Sequence, residues 1–342
     1  MRRRQLLRTL GCASTPAVAG CSGALESVTP ETETYSNPVF EPIFADPTAL
    51  RTEDGTYYAY ATGDDWYDGE GTRLVPIVRS TDLVRWEYVG EALTERPDWK
   101  DEGGIWAPGI ARHRGRYLLY YSVSVWGDPN PGIGVAVADS PAGPFEDRGK
   151  LFTSEEIGVE NSIDPFFYVD EGVPYLFWGS FHGIYGVELA ADGLSVAGEP
   201  FQIAGDAFEG PFVFERDDRY YLFGSVGSCC EGMTSTYHVT VGRSESLRGP
   251  YLDADGTDLM TGAGRLVVEG TETFVGPGHN TVVRDDAGDD WMLYHAYEDP
   301  NYFVQSTPRR SLMLDRLVWR DGFPTVEGQA PSAEAPVPSA RK

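Results

Sequence analysis

Residues 161 to 178 read NSIDPFFYVDEGVPYLFW: an acid before a proline, a short apolar run, a polar turn carrying glycine, and a second aromatic run. Each run is too short for a helix of ordinary length, and aromatic or β-branched runs separated by turn residues are the mark of an antiparallel hairpin. The same form starts at Asp46 (DPTALRTEDGTYYAYAT), Ala107 (APGIARHRGRYLLYYS), Gly210 (GPFVFERDDRYYLFGS) and Gly276 (GPGHNTVVRDDAGDDWMLYHAY). Its prolines are Pro47, Pro108, Pro165, Pro211 and Pro277. Further short strands follow within the units, as in GIGVAVADSPAGPFEDRGKLF from Gly132 and YHVTVGRSESLRGPYLDADG from Tyr237. No segment sustains a 3.6-residue apolar period. Five four-stranded units predict an all-β fold, a five-bladed β-propeller, in which the first strand of every blade lines a central channel.

Composition limits the partners. The 342 residues hold 53 acids against 27 basic residues, for a formal charge of -26, which argues against nucleic acid or an anionic membrane surface as partner. Only Lys100, Lys150 and Lys342 are lysines, and such an acidic, lysine-poor surface resembles that of halophilic proteins. Aromatic residues at 13% argue against disorder. The start MRRRQLLRTLGCASTPAVAGC has the layout of an export signal over residues 1–20, with Arg2, Arg3 and Arg4 resembling a twin-arginine signal and VAGC a lipobox ending at Cys21. Cleavage there leaves Cys21 lipidated; cleavage without lipid is the plainer alternative. Residues 21–36 suit a flexible tether, 37–328 the propeller, and 329–342 a disordered tail. A monomer is expected. Cys229 and Cys230, adjacent in sequence, offer neither a disulfide scaffold nor a zinc spacing.

The repeat also brings charge to the axis. Asp46 and Asp164 hold equivalent places before proline, and Glu209 stands one residue ahead of the matching place, while units two and five carry Ala107 and Gly276 there. An acid before proline is a common turn choice, yet a turn requirement does not explain acids on three blades and small residues on two. Carboxylates clustered near apolar walls such as Phe44, Ile163 and Phe208 repel and lose solvent, so one stays protonated while another is ionised. Cleavage of a glycosidic bond requires such a pair.

Seven segments together resemble glycoside hydrolase family 43: FADP at 44–47, WAPGI at 106–110, YYSVSVWG at 120–127, NSIDPFFYVD at 161–170, FWGSF at 177–181, CCEGMTSTYHVTVGRS at 229–244 and GPGHNTV at 276–282. Units four and five resemble its endo-1,5-α-L-arabinanases most. Coverage runs from Asn37 to Gly328. The resemblance implies that Asp46 is the general base, Glu209 the general acid, and Asp164 the carboxylate that orients that acid and keeps its pKa high. It implies inversion at the anomeric carbon, which goes with a base and acid roughly 6.5 to 9.5 Å apart. Asn161, Ser162, Ile163 and Ser180 are implied to contact sugar. Trp106 and Trp126 are candidate platforms for a furanose ring, or simply packing. His279 would bind a hydrated calcium ion in the channel, whereas a lone histidine of this kind is more often a hydrogen-bonded core residue.

Gly109 and Gly210 depart from the resembled pattern, and the loop DDWYDGEG at 64–71 is individual. The expected protein is an extracellular, surface-tethered endo-arabinanase acting on arabinan. An exo-acting arabinofuranosidase or xylosidase of the same fold is the near alternative, and a noncatalytic sugar-binding lipoprotein the distant one.

Overall fold

The computed structural model describes residues 33 to 305 and 307 to 340. The export segment, Cys21 and the tether up to residue 32 lie outside the described residues. Five antiparallel sheets of four strands follow one another along the chain. Blade one is Thr48–Arg51, Tyr57–Tyr60, Pro76–Ser80 and Glu87–Glu91, and blade two is Gly104–His113, Arg116–Ser124, Gly132–Ala138 and Glu146–Thr153. Phe166–Asp170, Val173–Trp178, Ile184–Glu188 and Phe201–Ala204 form blade three. Glu209–Arg216, Arg219–Val226, His238–Ser244 and Arg265–Val268 form blade four, and Phe274–Arg284, Asp290–Glu298, Ser311–Arg320 and Phe323–Val326 form blade five. First strands touch in chain order, and the fifth touches the first, closing a five-bladed propeller.

Local chemistry explains the hairpins. Arg114-Gly115, Glu171-Gly172, Asp217-Asp218 and Asp321-Gly322 each place two successive residues at positive φ, the geometry that joins neighbouring strands through a two-residue turn. The second strands are apolar on both faces because each feeds two cores. In blade two, Leu119 and Tyr121 pack toward blade one, while Leu118 and Tyr120 pack toward blade three. Equivalent clusters fill the other three interfaces, with Phe177 and Phe208 between blades three and four, Phe223 and Tyr294 between four and five, and Phe44 and Leu312 between five and one.

One expectation is corrected. The stretch 329–342, expected to be a disordered tail, is ordered over its described part. Glu334–Pro336 pairs antiparallel with Thr34–Ser36, which also takes those three residues out of the tether. Pro and Ala content there is linker-like, but fixed partners outweigh it. Asn37 Nδ2 donates to the Leu314 carbonyl at 2.9 Å, its Oδ1 accepts from the Leu314 amide at 2.9 Å, and the Ser332 amide donates to Asp315 Oδ1 at 3.3 Å.

Candidate active site

Each blade's chain is kinked at or just before its first strand, where it meets the axis. Asp46, Ala107, Asp164, Gly210 and His279 have φ of 54°, 41°, 63°, 59° and 51°. For residues other than glycine this left-handed conformation is uncommon and costs of order 1–3 kcal/mol. The strand register breaks at the same places, between Trp106 and Gly109, between Glu209 and Phe212, and between Gly278 and Thr281. Blade five has a second such kink at Gly276, with φ of 62° and its own register break between Val275 and Gly278; His279, whose imidazole lies 3.6 Å from Asp46, and not Gly276, holds the axial position. Pro277 imitates the repeat's proline without occupying its structural place.

The kink frees a backbone N–H, and a side chain at the end of the preceding blade's second strand receives it. Ala107 N–H donates to Thr62 Oγ1 at 2.8 Å, Asp164 N–H to Ser122 Oγ at 3.0 Å, His279 N–H to Ser225 Oγ at 2.8 Å, and Asp46 N–H to His295 Nδ1 at 3.0 Å. Blade four differs. The Gly210 amide donates to the Asp164 carboxylate, and the Ser180 hydroxyl donates to Glu209 Oε2 at 2.8 Å.

Electrostatics separate the three carboxylates. Asp46 Oδ1 lies 3.1 Å from Arg310 Nη1, 3.4 Å from His295 Nδ1 and 3.6 Å from His279 Nδ1, and Thr62 Oγ1 donates to its Oδ2 at 2.5 Å. Burial pushes its pKa up, but Arg310 and the other partners outweigh burial and hold it well below the usual carboxylate range. Glu209, 7% exposed, has no such cation. Desolvation raises it from 4.5 to about 7 against the opposing hydrogen bonds of Tyr237 and Ser180. Asp164 is likewise raised, by burial and then by the charges of Glu209 and Asp46. Asp46 is thus the ionised member, and the Asp164–Glu209 pair retains a proton near neutrality.

The residues expected to touch sugar divide. Ser162 is fully buried, its hydroxyl donating to the Val159 carbonyl at 2.8 Å and accepting from Trp178 Nε1 at 3.0 Å; it faces the core, which corrects its assignment to substrate. Ser180 is spent on Glu209, so it positions a carboxyl rather than a sugar. Asn161 Nδ2 donates to the Ser180 carbonyl at 3.0 Å, tying these segments together. Ile163 is 8% exposed and forms apolar wall. Trp106 is half-buried, and its ring lies 5.5 Å from that of Trp126, which is 76% exposed. Gly109 is required by packing, since a Cβ there would sit 2.1 Å from the Pro165 carbonyl oxygen.

Burial keeps the His279 imidazole neutral, as a metal ligand must be. Among the described residues, however, no three His, Cys, Asp or Glu side chains are arranged to hold a metal ion. Calcium prefers six to eight oxygens. The residues present fit an ion that keeps its water and touches His279, not one caged by side chains.

Sequence reasoning missed Arg310, His295, Thr62, Ser225 and Tyr237. For His295 a signal existed: YYS, WGS, FGS and LYH stand at 120–122, 178–180, 223–225 and 293–295, in or just after the second strands of blades two to five, so His295 stands where the others carry serine.

Comparison with known proteins agrees with this geometry. The model of the glycosyl hydrolases family 43 matches residues 35–324, and the chain belongs to that family. It is 35% identical to an extracellular exo-α-(1→5)-L-arabinofuranosidase of Cellvibrio japonicus over 82% of this chain and 86% of that one. It is 32% identical to an extracellular endo-α-(1→5)-L-arabinanase of Bacillus subtilis, over 83% of this chain and 87% of the relative. The α-L-arabinanase of Cellvibrio cellulosa in complex with arabinohexaose superposes with a TM-score of 0.74 at 33% identity, covering 84% of this chain and 97% of that one.

Proposed function

We propose that this protein hydrolyses α-1,5-linked arabinan by single displacement with inversion, cutting within the chain. The observation that carries the reading is the opposite treatment of two largely buried carboxylates at one mouth: Asp46 is ion-paired with Arg310, while Glu209 has hydroxyl partners and feels Arg310 only at a distance. In this reading Asp46 takes a proton from water as the water attacks the anomeric carbon. Glu209, kept protonated by burial and the charge of Asp46, gives its proton to the departing sugar oxygen, and Asp164 beside it orients that acid and modulates its pKa. Trp106 and Trp126 stack on furanose rings, and Ile163 lines the wall. A hydrated calcium ion at His279 supplies positive charge near the axis when bound. Chelation is expected to lower the melting temperature, and metal analysis of the purified protein to find about one calcium per chain. The protein works outside the cell, in keeping with the names of its extracellular relatives, and the VAGC stretch ending at Cys21 is the ground for a lipid tether there.

A second reading, attack from chain ends, is favoured by identity to the exo-acting relative and by the contact of Tyr67 Oη with Thr307 Oγ1, which ties the individual blade-one loop to blade five beside Arg310. Product sizes over time on linear arabinan decide between them. Mixed oligomers early support internal cutting, and monomer or one short product from the outset supports end attack. No hydrolysis of arabinan by the wild type sinks both.

A further inference from the structure

The loop joining the second and third strands of blade four, which contains the bonded pair Cys229–Cys230, ends at Tyr237 immediately before strand His238–Ser244. Tyr237 is 2% exposed. Its ring lies nearly parallel to the His295 imidazole, 12° between planes and 5.8 Å between centroids. Gly278 makes room for it, since a Cβ at 278 would stand 1.9 Å from Tyr237 Cε1. The hydroxyl at the end of this wedged ring hydrogen-bonds the Glu209 carboxyl and the Ser225 hydroxyl. Ser225 Oγ also accepts the His279 amide, so a continuous hydrogen-bonded chain runs from the blade-five kink to Glu209.

A glutamate carboxyl rotates freely about its last torsion, where rotamer wells are broad. Proton donation to a leaving oxygen requires that rotation to be fixed, because small misplacements of a reacting group are costly. The Ser180 and Tyr237 hydroxyls approach Glu209 as donors, and together they occupy acceptor positions that a free carboxyl would offer to its own proton.

We infer that Tyr237 is a positioning residue for Glu209: its hydroxyl, held in place by the Gly278 notch and the His295 ring, fixes the carboxyl with its acidic proton directed at the leaving sugar oxygen. This rests on the reading of Glu209 as general acid. Packing and positioning are separable here, since phenylalanine fills the same slot and lacks only the hydroxyl.

The experiment compares wild type, Tyr237→Phe and Glu209→Gln on two substrates: a linear arabino-oligosaccharide, whose leaving oxygen needs a proton, and the 2,4-dinitrophenyl glycoside of the same sugar, whose leaving group does not. For Tyr237→Phe, kcat/KM on the oligosaccharide is expected to fall about tenfold or more and on the dinitrophenyl glycoside by less than about threefold, with the melting temperature checked alongside. An equal fall on both substrates, or none on either, overturns the inference. If Glu209→Gln itself shows no preference for the activated leaving group, the general-acid reading fails first. If it shows that preference and Tyr237→Phe does not, the inference alone fails.

Discussion

Arg310 Nη1 sits 3.1 Å from Asp46 Oδ1, and the two residues belong to opposite ends of the chain and to different blades. Both side chains are largely buried, 16% and 14% exposed, so each leaves the other with a poorly compensated charge when removed. Arg310→Leu is expected to cost about 3–5 kcal/mol in denaturant unfolding. Arg310→Lys, which keeps the charge, should recover much of that stability. Equal stability of the leucine variant and wild type would show that Asp46 does not depend on this partner.

Glu209→Gln should reduce turnover on arabinan by about 10²–10⁴ while leaving the fold intact. Circular dichroism and melting separate the two effects. A glutamine variant that keeps wild-type turnover removes Glu209 from the mechanism.

The same substitution has a pH-dependent effect on stability. The folded-state pKa of Glu209 is raised from 4.5 to about 7, so its contribution is present below pH 4.5 and is lost as pH rises toward 7. Glutamine carries no charge to desolvate. It should therefore melt higher than wild type at pH 8, by roughly 2–4 °C for each kcal/mol relieved, and show no such gain at pH 4. A gain at pH 4 alone contradicts the direction of the shift.

Activity should follow the same proton. Since Glu209 must be protonated to act, kcat/KM on linear arabinan is expected to decline as pH passes about 7. A plateau reaching pH 9 would mean that a different group donates the proton.

Gly278→Ala places a methyl group where the Tyr237 ring lies, at 1.9 Å from Cε1. Overpacking of this sort costs about 1–3 kcal/mol, and displacement of the ring should lower turnover as well. An alanine variant with unchanged denaturation midpoint and activity would show that the slot has room.

Removing the chain after Gln329 eliminates the ribbon with Thr34–Ser36 and the Ser332 amide bonded to Asp315. Loss of several hydrogen bonds, each worth about 0.5–1.5 kcal/mol net, should shift the midpoint measurably. No shift would restore the view of this segment as a passive tail.

The proline-marked hairpins made the blades and the three carboxylates readable, because a two-residue turn and a period-2 apolar run are local features. His279 is legible as a residue of the channel, but Gly276-Pro277 reproduces the repeat motif three residues ahead of it and so hides which kink of blade five faces the axis. Arg310 and Tyr237 were out of reach for a different reason. Their importance arises from approach across a blade interface, which no local pattern encodes. Ser162 goes the other way: proximity to Asp164 in the chain suggests substrate, yet the turn ahead of strand Phe166–Asp170 directs its hydroxyl inward to the Val159 carbonyl and Trp178. Proline and alanine after Gln329 concealed a strand whose partner lies about three hundred positions upstream.

Every blade is woven from contiguous chain, and the join between the fifth and the first is closed by the segment leading into blade one, where the Val39 amide bonds the Leu312 carbonyl at 2.9 Å and the Phe44 amide the Arg310 carbonyl at 2.8 Å. The Arg310–Asp46 pair spans that join, as does the His295 imidazole that receives the Asp46 amide. Gentle heating or dilute denaturant that parts this seam strips the attacking side of its counter-ion while the sheets themselves persist. Inactivation should accordingly precede the loss of β-structure.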